Sequence, residues 1–405
     1  MTTLGLDFGT SNTAAGVFDG NRPVSIPLEP GKDTIPTAVF VDFADRQYIY
    51  GSAAATAMQE GLEGRFMRAL KSILGTPIAQ EPRMFLNERL TLIEIIARFL
   101  AEVKSRSEKA TGQKFETALS GRPVKFHSQS PEKDAQAELD LRKAYEFAGF
   151  KDVSFLPEPE AAALAVEGDG TMLIVDIGGG TSDFTLCTRK GDQTDVITSR
   201  GLRLGGTDFD RTLSLAHAMP LFGMGADINA EIGSRKHPAP RALFHDLASW
   251  EKIAFVYDPA LLRDVQKWIR LADHPVLFER LATILDLHLG HDVAYAVEAG
   301  KIAANERGEA QIELGVVERG LTSALRDQIL SQEFAAYADM IGEEALLTVQ
   351  DAGLTPDRVD QVVFVGGSSL LSVVKQGLAS RFTDSRLVYS EVFTAVVHGL
   401  AIAAK

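Results

Sequence analysis

The feature that most constrains this chain is an internal repeat. Residues 4–18 read LGLDFGTSNTAAGVF, and residues 173–187 read LIVDIGGGTSDFTLC. With Asp7 laid on Asp176, each copy runs through an apolar stretch, an acid, an apolar residue, a glycine, small or hydroxyl residues and a second apolar stretch. Two apolar runs joined by Gly, Ser and Thr predict a β-hairpin in each copy. One copy opens the chain and the other begins near its middle. That is too wide for a solenoid, whose repeats recur every ~20–45 residues, and it points to a duplicated domain.

The segments after the two hairpins are also alike. Leu92, Ile96, Phe99 and Val103 fall on one face of a helix. A strand is expected at 117–119 and a helix after Pro131, with Leu141, Tyr145 and Ala148 sharing a face. A short strand at 153–156 leads through Pro157-Glu158-Pro159 into an Ala-rich helix at 160–166. In the second half, Leu204-Gly205-Gly206-Thr207 turns into a helix. A strand at 362–365 ends in Gly366-Gly367-Ser368 and enters a helix of about a dozen residues. Strands alternating with helices predict α/β lobes. Lobe I is expected to span 1–170 plus about 389–405, with an insertion at about 38–111. Lobe II is expected to span 171–388, with a helical insertion at about 211–300.

The chain has 405 residues, more than a single core sustains, so two or more domains are expected. Its formal net charge of −14 disfavours nucleic acid and anionic membranes as general partners. No apolar run reaches the ~20 residues of a membrane helix, and the N-terminus, MTTLGLDFGT, reads directly into structure; a cytoplasmic location is the expectation. The single cysteine, Cys187, excludes an intrachain disulfide and reads as a small buried apolar residue.

The hairpin turns carry the chemistry. Glycine lets a backbone approach a ligand closely. Successive N–H groups in a tight turn form an anion nest, and the hydroxyls of Thr10 and Ser11 add donors. The acid before each glycine suits Mg²⁺ or its waters, and the metal in turn bridges to phosphate oxygens. Two such turns facing each other would clamp a polyphosphate. The strand–Gly366-Gly367-Ser368–helix element would add a helix N-terminus beside an anion or nucleoside. Neither a Gly-x₄-Gly-Lys-Ser/Thr loop nor a Gly-x-Gly-x-x-Gly after a strand is present, which argues against a P-loop or Rossmann site.

At these residues the chain resembles the ATPase domain of DnaK-type heat-shock chaperones, within the actin-like superfamily. The matching pieces are Gly5-Leu6-Asp7-Phe8-Gly9-Thr10-Ser11-Asn12, Ala69-Leu70-Lys71-Ser72-Ile73-Leu74-Gly75, Glu158-Pro159-Glu160-Ala161-Ala162-Ala163 and Val175-Asp176-Ile177-Gly178-Gly179-Gly180-Thr181-Ser182-Asp183. They continue with Leu204-Gly205-Gly206-Thr207-Asp208-Phe209-Asp210 and Phe364-Val365-Gly366-Gly367-Ser368. The total length is similar to that of the short, stand-alone bacterial members of the YegD type. The resemblance implies an actin-like ATPase fold: duplicated ribonuclease H-like lobes, with two insertion subdomains flanking a nucleotide cleft.

It also implies roles. Asp7, Glu158 and Asp176 would hold Mg²⁺ through its water shell, and Asp183 would complete the acidic cluster and help bind K⁺. Gly9, Thr10, Ser11 and Asn12 would grip the β- and γ-phosphates of ATP or ADP from one side. Gly178, Gly179, Gly180 and Thr181 would do so from the other, with Gly205, Gly206, Gly366, Gly367 and Ser368 completing the nucleotide site. Lys71 would reach the γ-phosphate and the attacking water as a flexible point charge. The implied reaction is attack of water on the γ-phosphate, carried by Lys71, Glu158, Asp176, Thr181 and Asp7. Glu298 and Lys301 would face adenosine.

The chain departs from the family at three points. Ile302 stands where an arginine usually stacks on the base, Leu370 replaces an arginine after the Gly-Gly-Ser turn, and the chain stops at Lys405 after a helix at 394–404. The linker and peptide-binding domain of the family are therefore not expected, and any protein partner would use another surface, with 211–300 the candidate. His288 and His291 lack a third metal ligand at a fixed offset. Trp250 and Trp268 read as packing residues, Asp208 and Asp210 as a helix-starting pair, and Glu160 as a first-turn acid. The competing readings are a small-molecule kinase of the same superfamily, an ATP-dependent filament protein, and a nucleotide-dependent regulator with little turnover.

Overall fold

The computed structural model describes residues 2–191, 193–230, 235–389 and 394–405. Residues 390–393 of the closing segment expected for lobe I, and 231–234 of the helical insertion, lie outside the described residues.

Both expected hairpins form. Thr3–Phe8 pairs antiparallel with Asn12–Phe18, and Gly170–Ile177 pairs antiparallel with Ser182–Lys190. Each hairpin is the centre of a larger sheet, and the two sheets share one topology. In the first, Pro23–Ile26 flanks the hairpin on its antiparallel side, while Thr117–Arg122 and then Asp152–Pro157 add in parallel beside Thr3–Phe8. In the second, Gln193–Leu202 takes the antiparallel edge, while Gln361–Val365 and then Arg386–Tyr389 add in parallel beside Gly170–Ile177. The first sheet has a sixth, two-residue strand, Ile35–Pro36, which also pairs with Asn12–Phe18; apart from it, and numbered within its own half, each sheet runs 3-2-1-4-5.

The helices repeat as well. Leu92–Thr111 precedes the fourth strand of the first half, Pro131–Phe147 lies between its fourth and fifth strands, and Glu158–Ala165 comes after the fifth. Asp327–Asp351, Ser372–Ala379 and Ala395–Ala403 hold the same three places in the second half. Leu92–Thr111 therefore belongs to the repeated frame. The addition between the hairpin and this helix includes a three-stranded sheet of Gln47–Tyr50, Ala38–Asp42 and Gly64–Arg68 with the helix Ser52–Gln59, followed by the short hairpin Arg83–Phe85/Glu88–Leu90.

Local sequence explains the helix limits. Thr91 and Glu94 form a reciprocal capping box before Leu92, and Gly112 ends that helix in the left-handed region. Leu92, Ile96, Phe99 and Val103 are all buried, as their spacing predicts. Two boundaries differ from expectation. The Ala-rich helix begins at Glu158, because Pro159 needs no N–H in the first turn. After Gly366 a short 3₁₀ turn, Gly367–Leu370, intervenes, Leu371 is extended, and only the eight residues Ser372–Ala379 are helical.

The last helix of each half crosses to the other half's sheet. Glu158–Ala165 packs on Gly170–Ile177 and Ser182–Lys190, whereas Ala395–Ala403 packs on the first hairpin. The two helices touch closely, since a Cβ on Gly399 would sit 1.7 Å from the Ala161 carbonyl oxygen. Small residues make this possible. Ala161, Ala162 and Ala163 join Met172, Ile174, Val363, Val365 and Leu400 in one buried cluster that also takes in Cys187. Burial pushes the Cys187 thiol up to about 12, as befits an inert packing group.

The chain divides into two compact units, one of residues 1–206 and 336–405, the other Thr207–Ala335. The second unit starts before 211 and runs past 300. Besides its helices, it contains the antiparallel hairpin Glu309–Glu313/Thr322–Arg326. Trp250 is buried there, edge-on to Tyr295, and Trp268 meets Phe278 edge-on. His288 stacks on Tyr257 while His291 is buried. Among the described residues no helix is long and apolar enough to cross a membrane.

Candidate functional site

The site is built where the two hairpins turn. Gly9 N donates to Asn12 O at 3.0 Å, and Gly178 N donates to Thr181 O at 3.0 Å, so the repeat extends to the same hydrogen bond at equivalent positions. A Cβ at Gly9 would lie 2.3 Å from the Asn12 carbonyl oxygen, which is why the turn requires glycine. The first turn is braced from behind: Thr37 donates its hydroxyl to Gly9 O and its N–H to Ser11 O.

The turns face each other at contact distance. A Cβ on Gly179 would be 2.6 Å from Ser11 Oγ, and one on Gly180 would be 3.0 Å from Thr10 Oγ1 and 3.2 Å from Ser72 Oγ. Two further glycine turns close on the second hairpin. Gly206 N donates to Gly178 O at 2.9 Å, and a Cβ on Gly205 would lie 2.6 Å from Gly180 N. Gly366 has φ 77°, and a Cβ there would be 2.3 Å from the Ile177 carbonyl oxygen and 2.7 Å from Asp176 Oδ1. A Cβ on Gly206 would be 2.6 Å from Ser368 Oγ. Residues 9–12, 178–181, 205–206 and 366–368, far apart in sequence, thus converge.

Four carboxylates line this junction. Asp7 and Asp176 sit near the ends of the leading hairpin strands, Asp183 stands directly across the ladder from Asp176, and Glu158 is the first residue of its helix. Lys71 Nζ lies 2.5 Å from Glu158 Oε1, with the two side chains 7% and 12% exposed. Desolvation, then the charge of Glu158, raises Asp7 to about 7, while Lys71 opposes the shift. Asp176 is pushed well above the carboxylate range by burial, then by Glu158, Asp183 and Asp7. Asp183 rises to about 8, first through burial and then Glu158, although the Thr181 hydroxyl and the Val124 N–H, 2.7 Å from Oδ1, stabilise its anion.

A cluster of this kind is short of positive charge. Among the described residues no three His, Cys, Asp or Glu side chains converge tightly enough to ligate a metal directly. The donor set fits a hydrated cation, whose waters reach several carboxylates while its charge relieves their repulsion. The close approach of the turns requires glycine at 179, 205 and 366, where a Cβ would lie 2.3–2.6 Å from a neighbouring protein atom.

Lys71 is positioned with care. It lies in a 3₁₀ turn, Leu70–Ile73, entered through Ala69 at φ 59°, a left-handed conformation that costs a non-glycine residue ~1 kcal/mol or more. Carbonyls of that turn and of the residue that caps it are held from outside, Ser72 O by Arg203 Nη2 at 2.9 Å and Leu74 O by His127 Nε2 at 2.7 Å. Between these groups lies a small recess of about 20 Å³, lined by Thr10, Lys71, His127, Gly180, Thr181 and Arg203. Sequence reading missed His127 and Arg203; the available signal was an arginine two residues before Gly205-Gly206.

Glu298 and Lys301 belong to the second compact unit. There Lys301 is buried, its Nζ 2.6 Å from Asp210 Oδ1, and Trp250 Nε1 donates to Asp210 Oδ2 at 3.3 Å. Burial raises the Asp210 pKa, the Lys301 charge opposes this, and Glu298 is close enough to add to it. Asp210 is thus the counter-ion of a buried lysine, where a helix-starting acid was expected. Ile302 is 48% exposed. Glu160 accepts from Ser199 Oγ at 3.1 Å, a bond from the helix to the second sheet.

Known proteins resemble the chain along the same lines. Residues 79–236 match the family described as Hsp70 protein. Over 384 residues the chain is 27% identical to the chaperone protein DnaK of Mycoplasmoides gallisepticum, covering 92% of this chain and 54% of that protein. Over 216 residues it is 29% identical to the chaperone protein DnaK of Ureaplasma urealyticum serovar 10, covering 52% of this chain and 34% of that one. The chain therefore spans about half, or less, of the length of these curated relatives. The family match contains Glu158, the second hairpin and the Gly205-Gly206 turn, while Asp7, Lys71 and Gly366 lie outside it.

Proposed function

We propose that this chain, a chaperone-related, DnaK-like nucleotide-binding domain with the actin-like ATPase fold, binds ATP with Mg²⁺ and hydrolyses it by attack of water on the γ-phosphate. The observation that carries the proposal is the facing pair of acid–glycine turns, with Gly179 against Ser11 and the buried Lys71–Glu158 pair at their junction.

The roles divide by chemistry. N–H groups of the turns at 9–12 and 178–181, with the hydroxyls of Thr10 and Ser11, receive the β- and γ-phosphates from opposite sides. The turns at 205–206 and 366–368 extend the cradle toward the nucleoside. Asp7, Asp176, Glu158 and Asp183 hold the hydrated Mg²⁺, which when bound supplies neutralisation of phosphate charge. Lys71 spends one N–H on Glu158. Its other two serve a terminal phosphate oxygen and the attacking water, while the Glu158 carboxylate keeps the ammonium charged and in place. Thr181, bonded to Asp183, fixes that acid against the second turn. Glu298 and Lys301 are assigned to adenosine, Lys301 with its charge balanced by Asp210. The two sheets form the cores of lobe I (1–170 plus about 389–405) and lobe II (171–388).

The test is phosphate release from MgATP by the purified chain, with Lys71→Ala in parallel. The expected result is turnover without any added acceptor and a ~10²–10³-fold loss in the variant with nucleotide still bound. Absence of Mg-nucleotide binding to the wild-type chain overturns the proposal. ATP consumption that appears only with a small-molecule acceptor overturns the hydrolytic part in favour of a kinase.

A further inference from the structure

The recess beside Lys71 has a cationic wall that the roles above leave unused. Arg203 comes directly after the strand Gln193–Leu202 and precedes the Leu204-Gly205-Gly206 turn, whose Gly206 N–H grips Gly178 O. Its place is set at both ends. The backbone N–H of Arg203 donates to Ser128 Oγ at 3.4 Å, and the guanidinium Nη2 donates to Ser72 O at 2.9 Å. Ser72 in turn sits against the phosphate turns, its Oγ 3.2 Å from where a Cβ on Gly180 would be. The guanidinium therefore lies one residue from Lys71, on the wall of the recess shared by Thr10, Gly180 and Thr181.

Charge balance says what this wall is for. Asp7, Glu158, Asp176 and Asp183 gather at the junction, and the single positive charge of Lys71 is already balanced by Glu158. A triphosphate brings further negative charge, and a divalent cation offsets only part of it. Among the described residues no carboxylate pairs with Arg203, so its charge is not spent elsewhere. One of its five N–H donors is used on Ser72, which leaves the planar fork that matches a phosphoryl group.

We propose that Arg203 is a phosphate-contacting residue of this site: its guanidinium binds the terminal phosphoryl group of the bound triphosphate from the recess side and neutralises the charge that develops there during hydrolysis. The inference rests on the ATPase reading and adds to it an arginine supplied in cis. It makes the site selective for triphosphate over diphosphate, because the recess lies at the Lys71 end of the cradle.

Isothermal titration of the whole chain with the Mg²⁺ complexes of ADP and of the non-hydrolysable analogue AMP-PNP tests this, together with single-turnover hydrolysis of ATP. Arg203→Ala should weaken AMP-PNP about tenfold, in line with loss of a charge-assisted bond, leave ADP within twofold, and slow hydrolysis by at least ~10-fold. Arg203→Gln separates charge from structure, since its amide can still donate to Ser72 O but carries no charge; it should behave like Arg203→Ala. Arg203→Lys should regain part of the AMP-PNP affinity. The proposal is overturned if Arg203→Ala keeps the wild-type preference for AMP-PNP over ADP within twofold. It is equally overturned if both ligands weaken alike, or if Arg203→Gln restores the wild-type pattern, either of which assigns Arg203 only to bracing the Lys71 turn. Failure of the wild-type chain to bind either nucleotide is the separate result that removes the ATPase reading, and this inference with it.

Discussion

Lys71→Met is the substitution whose outcome the structure specifies most fully. The Nζ–Oε1 distance of 2.5 Å and side-chain exposures of 7% and 12% make Lys71–Glu158 a buried ion pair. Removing one partner of such a pair leaves an uncompensated buried charge and typically costs ~3–5 kcal/mol. Here the cost falls at the upper end, because Asp7, Asp176 and Asp183 crowd the abandoned carboxylate and Lys71 opposes the pKa rise of each. Glu158→Gln should cost less, about 1–2 kcal/mol: the lysine keeps other acids nearby, and removal of the Glu158 charge eases the strain on Asp7 and Asp176. The double variant should be more stable than Lys71→Met alone, with a coupling of about 2 kcal/mol. It should remain as slow in hydrolysis as either single change. Unfolding must be followed by far-UV circular dichroism, because both tryptophans lie in the unit Thr207–Ala335 and report on that unit first. A Lys71→Met protein within ~1 kcal/mol of wild type, or a double variant less stable than Lys71→Met, would refute the reasoning.

Three further outcomes come from the same geometry. Asp7 and Asp183 have folded-state pKa values raised to about 7 and 8 from an ordinary 3.8, so their stabilising protonation is complete below pH ~4 and is lost as pH rises through 7–8. The metal-free chain should lose a few kcal/mol of stability between about pH 6 and 9, and Mg²⁺ or Asp183→Asn should reduce that loss; a melting temperature flat or rising over this range in metal-free buffer contradicts the linkage. Gly205→Ala would set a Cβ 2.6–2.7 Å from backbone atoms of Gly179 and Gly180, so it should displace the second turn and weaken Mg-nucleotide binding at least ~10-fold in titration calorimetry with the fold intact. Asp210→Asn strands the buried Lys301 and should destabilise the unit Thr207–Ala335 by ~3–5 kcal/mol, read from Trp250 emission in urea; an unchanged midpoint would mean that the pair contributes nothing.

The chemistry of the turns was legible in the sequence because it is local. A glycine that must stand 2.3 Å from its own turn's carbonyl, an acid at the end of an apolar strand and hydroxyls in the loop lie within a few residues of one another. Repetition of that pattern at Asp7 and Asp176 was enough to anticipate two hairpins, and the structure carries the correspondence down to the Gly9–Asn12 and Gly178–Thr181 bonds. The buried face of Leu92–Thr111 was equally readable, since its period is set by the helix itself. The limits at Glu158 and Ser372 were misplaced by local signals that compete, a proline tolerated in a first turn and a 3₁₀ turn interposed after glycine.

Other features depend on which distant segments meet. The crossing of Glu158–Ala165 and Ala395–Ala403, each onto the other half's sheet, is decided by small residues that let the two backbones touch at Gly399 and Ala161. Arg203 acquires significance only because Ser72 and Gly180 come to lie beside it, and Asp210 only because burial turns it into the partner of Lys301. The twin acid–glycine turns follow from local sequence, because a tight turn is a contest among neighbouring residues. That they face each other across a Lys71–Glu158 pair with an arginine at the edge follows from packing, because burial and charge balance belong to the segments that the fold brings together.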